Sequence, residues 1–99
     1  MRVLYRPRFV DDLSDAFGFI AQDSPAAADR LLDQVDVIVE RLRHFPFVGA
    51  PRDYLRPGIR LIRVRPYRHL IFYRVDAEEL ILLRLLYGTR DLPAQDFRG

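Results

Sequence analysis

A chain of 99 residues buries roughly two thirds of its unfolded surface on folding, which is enough for one core and too little for two. With 49% apolar and 30% charged residues and no Cys, the composition excludes a disordered tail, a membrane span, a disulfide framework and any thiolate chemistry. All 16 basic residues are Arg, which also excludes Schiff-base lysine chemistry; residues 1–50 carry net −2 and residues 51–99 net +4, so the second half is built to meet something negative.

Residues 2–6 alternate charged and apolar side chains and predict a short strand ended by Pro7. The period then changes to that of a helix at about 8–22, with Val10, Leu13, Phe17 and Ile20 on its apolar stripe and Ala16 beside them. Asp11, Asp12 and Asp15 fall near its start, where the helix dipole favours anions, and are expected on a solvated face. They also interrupt the apolar run that a signal peptide needs, so a cytoplasmic protein is expected. Ser24-Pro25 is a restart signal, because Ser accepts a bond from a free amide and Pro at the first helical position loses none. Ala28, Leu31, Leu32, Val35, Ile38, Val39 and Leu42 then hold the helical period until His44 and Phe45, where Pro46 ends it. Two amphipathic helices so closely linked fold back as a hairpin.

Residues 45–58 hold three Pro and two Gly and predict an ordered loop, in which Phe45, Phe47, Val48, Tyr54 and Leu55 are expected to be buried. Strands follow at 59–65, 67–75 and 79–87, joined by connections too short for parallel crossovers, so they pair antiparallel. The last is nearly all apolar and should be interior. The fold class is therefore α+β in the order β-α-α-β-β-β, one domain over 1–99, with a helix hairpin packed on a small antiparallel sheet. One sheet face and the groove beside the hairpin are left for a partner.

Candidate chemistry is sparse. His44 at a helix end and His69 inside a strand have no patterned partner of the kind that a nucleophile or metal site requires, and structural roles suffice for both. No metal and no cofactor are expected, and Gly49, Gly58 and Gly88 stand alone as turn glycines, with no phosphate loop. The Arg residues of 52–74, interleaved with Tyr54, Tyr67, Phe72 and Tyr73, either keep a half-exposed sheet soluble or bind a ligand: guanidinium groups bind phosphates and carboxylates, so that ligand would be nucleic acid or an acidic protein segment.

Taken in order, Asp12-Leu13 through Phe19-Ile20-Ala21, Ser24-Pro25-Ala26-Ala27-Ala28, Phe45-Pro46-Phe47-Val48-Gly49, Pro57-Gly58-Ile59-Arg60, the strand from Tyr67 through Val75, and Leu83-Arg84-Leu85-Leu86-Tyr87-Gly88-Thr89-Arg90-Asp91 resemble the ParE/RelE superfamily of bacterial type II toxins. The likeness is greater to the ParE branch. It implies a toxin neutralised by a cognate antitoxin, with DNA gyrase as target and neither a membrane nor a small-molecule substrate as partner. Arg60, Arg63 and Arg68 are then expected to meet the antitoxin, and Arg90, Asp91 and Phe97 the target. The alternative that the resemblance allows is a RelE-like, ribosome-dependent mRNA endoribonuclease, using His69, Tyr87 and Arg90. Against it, Phe97 has no hydroxyl where a tail Tyr would move a proton, and Arg is a poor base.

Overall fold

The computed structural model describes residues 1–88 and 92–98. The elements are β1 (Arg2–Tyr5), α1 (Pro7–Ala21), α2 (Pro25–His44), β2 (Ala50–Pro51), β3 (Arg60–Arg63), β4 (His69–Asp76) and β5 (Glu79–Tyr87), followed by a short 3-10 turn at Leu92–Ala94. Both helix starts follow the sequence. Pro7 and Pro25 occupy first-turn positions, and Ser24 Oγ accepts from the Ala27 amide at 3.1 Å.

The five strands run in the order β1-β5-β4-β3-β2. The β2–β3, β3–β4 and β4–β5 pairs are antiparallel, as their short connections require, but β1 lies parallel to β5, so the sheet is mixed. The hairpin rule constrains only strands joined by tight turns. Between β1 and β5 the chain crosses the whole helix pair, which leaves their relative direction free. The two-residue β2 was also not foreseen, because its Pro and the loop composition around it hide a strand.

The helices cover one sheet face. Phe9, Ala16, Leu31, Val35, Ile38, Val39 and Leu42 pack there against Val64, Ile71, Tyr73, Leu80, Leu82 and Leu85. On α1 the buried stripe begins at Phe9, while Val10, expected inside, is half exposed; Leu13, Ala16 and Ile20 lie on the core side as expected and share one helical face with Phe9. The other face, expected to stand open for a partner, carries a core of its own. Ile59, Leu70, Phe72, Ile81, Leu83 and Leu86 are covered there by Phe97 and Leu92 of the tail and by Leu55 of the loop. Apolar residues on both faces of β5 account for this, since burying them takes two layers.

β5 is irregular at one point: Phe72 is paired with Arg84 and Tyr73 with Leu82, so Leu83 is an extra residue. Such a bulge bends a strand and re-aims a side chain. Here it falls beside Arg84, where β1 ends.

Candidate functional site

Three groups of residues distinguish the surface and its supports. The first is the loop after α2. Phe45, Phe47 and Val48, expected to be buried, are 65%, 63% and 45% exposed, and Tyr54 further on is exposed as well. Phe45, Phe47 and Val48, together with Arg41, His44 and Pro46, line a shallow groove of about 570 Å³. The loop is nevertheless fixed from beneath. The buried Tyr73 hydroxyl donates to Pro46 O at 2.8 Å and accepts from the Gly49 amide at 2.9 Å. Arg60 donates to Phe47 O at 3.0 Å and to Gly49 O at 2.8 Å, with its guanidinium 5.2 Å from the centre of the Phe47 ring. Gly49 is not a turn glycine: a Cβ there would stand 2.7 Å from Tyr73 Cε1, so the close approach of loop to ring requires Gly. Burial, opposed by the Gly49 hydrogen bond and by Arg60, holds the Tyr73 hydroxyl above its ordinary pKa, so it remains the proton donor that the loop needs. Tyr73→Phe would leave Pro46 O and the Gly49 amide without their partner. We expect a loss of about 1–3 kcal/mol in urea unfolding, together with faster hydrogen exchange at Gly49. Unchanged exchange at that amide would refute this bracing.

The second group lies at the end of the sheet formed by the close of β3, the start of β4 and the close of β5. Arg63, Arg65 and Arg68 are exposed, and none of their side chains has a hydrogen bond or ion pair among the described residues. His69 is paired with Tyr87 across the β4–β5 ladder, their rings edge to face at 5.5 Å. The Gly88 amide donates to Arg68 O at 2.9 Å, closing this end of the sheet. Of the three arginines expected to act together, Arg60 is thus committed to the loop, whereas the side chains of Arg63 and Arg68 have no partner among the described residues.

The third group is internal. Arg84, 5% exposed, donates from Nε to Asp12 Oδ2 at 2.6 Å and from Nη2 to Asp12 Oδ1 at 3.0 Å, while its Nη1 reaches Asp96 O in the tail at 2.9 Å. Asp12 Oδ2 also accepts from the Leu85 amide at 3.0 Å. β1 pairing stops at Leu82, so the carboxylate closes the sheet edge just beyond it. Asp12 was expected on a solvated face; the first turns of α1 instead lie against this edge and turn it inward. Hydrogen bonding to Asp12 raises the Arg84 pKa further, keeping the group charged. The tail is also tied through its Asp96 carboxylate to Arg98 and, at 3.7 Å, to Arg8, and the Arg98 hydrogen bonds hold that carboxyl well below the usual range.

With this geometry in view, the comparisons are decisive. Residues 3–92 match the family model described as "ParE toxin of type II toxin-antitoxin system, parDE". The chain belongs to the ParE toxin family. It is 33% identical over 85 residues to Toxin ParE3 of Caulobacter vibrioides, covering 85% of this chain and 83% of that one. It is 34% identical over 82 residues to Toxin ParE2 of Mycobacterium tuberculosis, covering 82% and 75%. A solved structure described as "Chromosomal ParDE TA system from P. aeruginosa" superposes with a TM-score of 0.61 at 25% identity, over 86% of this chain and 92% of that chain.

For this ParE-family chain, the sequence-based site residues divide clearly. His44 is exposed and paired with Glu40 at 3.1 Å, a local helix contact. His69 and Tyr87 are brought together, while Arg90 and Asp91 lie outside the described residues. Phe97, expected at the target surface, is 4% exposed and packs at 4.9 Å on Phe72, so it fastens the tail. Among the described residues no three His, Asp or Glu side chains gather as a cation site. The Asp12–Arg84 pair was missed. Its signal was a lone Arg in the apolar run 79–87, because a charge so placed needs a buried partner.

Proposed function

We propose that this protein is the toxin of a toxin–antitoxin pair that inhibits DNA gyrase by binding rather than by catalysis, and that its cognate antitoxin neutralises it by covering the exposed loop and the neighbouring arginines. The observation that supports contact over cleavage is the tail. Its aromatic residue is Phe97, which has no hydroxyl and is packed under the sheet, so it offers no group for moving a proton. Exposed aromatic side chains on a braced loop are a favourable basis for protein recognition, since little ordering is needed on binding. An antitoxin segment with apolar residues for Phe45, Phe47 and Val48 and carboxylates for Arg63 and Arg68 fits this surface, with Arg60 shaping the loop it covers. No helix among the described residues is long and apolar enough to cross a membrane.

Purified protein added to gyrase, relaxed plasmid and ATP is expected to block supercoiling, and preincubation with the antitoxin to restore it. The nuclease reading draws its support from the adjacency of His69 and Tyr87. Cleavage of ribosome-bound messenger RNA with supercoiling untouched would establish that reading and refute the first.

A further inference from the structure

We infer that the sheet end bearing Arg63, Arg65 and Arg68 is a contact site for the DNA backbone, with Tyr87 beside it as a base-stacking surface. The site belongs to the toxin free of its antitoxin. The use of this contact in poisoning rests on the gyrase reading; the contact itself does not.

Charge is segregated along the sheet. No acidic residue occurs between Asp53 and Asp76, a stretch that holds six Arg. Asp76, Glu78 and Glu79 all lie at the β4–β5 turn, the opposite end of the hairpin from Arg68. The eight residues of β4 set these ends roughly 23 Å apart, well beyond the screening length of about 8–10 Å in physiological salt. The cationic end therefore keeps its own field, which these three acids do not cancel.

The side chains of the arginines there are also unoccupied among the described residues. Arg2, Arg8, Arg43, Arg84 and Arg98 each pair with a carboxylate, and Arg60 and Arg52 bond to backbone carbonyls. Arg63, Arg65 and Arg68 have no such partner among the described residues, although they sit within six positions of one another around the β3–β4 connection. The register sets Tyr87 at the same sheet end but on the other face: Arg63 is paired with Leu70 and Leu70 with Leu86 on the tail side, whereas His69, next to Arg68, is paired with Tyr87 on the helix side, so a bound strand would pass over the sheet end. Tyr87 is 40% exposed, with its ring held by the edge contact with His69. Guanidinium groups for phosphates with a fixed, accessible aromatic ring are the parts from which single-strand binding sites are made. An acidic peptide would use the cations equally well but gains nothing specific from the ring, and this favours a polynucleotide. Because the antitoxin's carboxylates are proposed for the same arginines, DNA and antitoxin should exclude each other here.

The test is fluorescence anisotropy of the purified full-length protein with a labelled 16-nucleotide single strand between 50 and 200 mM KCl. Engaging three phosphates predicts a slope of log affinity against log salt of about −2. Converting Arg63, Arg65 and Arg68 together to Gln should bring the slope close to zero; converting all three to Lys should preserve it. Tyr87→Ala should weaken binding by about tenfold with the slope unchanged. Arg30→Gln/Arg43→Gln on α2 removes positive charge elsewhere and should leave both quantities as they are. The inference is overturned by absence of binding at 50 mM KCl, by an equal loss of slope in the α2 variant, or by a 16-residue polyglutamate competing as strongly as unlabelled DNA. Gyrase is absent from this assay. Negative binding with supercoiling still blocked sinks the DNA contact alone, whereas positive binding with supercoiling intact sinks the gyrase reading alone.

Discussion

Replacing Asp12 by Ala is expected to destabilise the protein by about 3–5 kcal/mol, a large share of the 5–15 kcal/mol typical of a whole domain. The reason is what the substitution leaves behind. Arg84 is 5% exposed and keeps its charge, so without the carboxylate its one remaining hydrogen-bond partner among the described residues is the Asp96 carbonyl, and the Leu85 amide loses its acceptor as well. The cost is mainly that of an uncompensated buried cation rather than of lost attraction, and this makes a second expectation. The double variant Asp12→Ala/Arg84→Met removes the cation too and should recover much of the loss, giving a strong coupling in a double-mutant cycle of urea midpoints. Because Arg84 also holds the tail, Arg84→Met alone should raise the protease sensitivity of residues 92–98. If Asp12→Ala unfolded within about 0.5 kcal/mol of wild type, the pair would be no more than a surface ion pair in its effect.

The second large effect is expected at Val35. It lies 3% exposed at the middle of the α2 stripe, within the core that joins both helices to β4 and β5. Val35→Asp would place a carboxylate in this layer with no partner designed for it, at a cost of several kcal/mol, and should abolish the cooperative transition altogether. Val35→Ala, which leaves only a small cavity, should cost on the order of 1–3 kcal/mol and keep the transition. A folded Val35→Asp protein with a near-wild-type urea midpoint would show that the hairpin is not packed on the sheet through this face. Reading both variants by circular dichroism separates a lost fold from a merely loosened one.

Much of this was determined by the sequence itself. Helix starts are local events, so Pro7, Ser24 and Pro25 placed them without reference to the rest of the chain. Short connections likewise dictated the antiparallel order of β3, β4 and β5, since no other pairing can be reached across so few residues. The ordered run of motifs from Asp12 to Asp91 carried the family resemblance, which the match over residues 3–92 bears out.

The tertiary structure decided whatever depends on residues far apart in the chain. The parallel seat of β1 beside β5, the inward turn of Asp12 to an arginine 72 positions away, and the covering of the second sheet face by Phe97 follow from how layers stack, and no local period encodes them. The exposure of Phe45, Phe47 and Val48 belongs to the same class. Apolarity in a loop predicts burial only when the core has room, and here Tyr73 and Arg60 fasten the loop backbone and leave its side chains outside. Sequence spacing put Arg60, Arg63 and Arg68 on one basic run; the hydrogen bonds committed the first to the fold and gave the side chains of the other two no partner among the described residues.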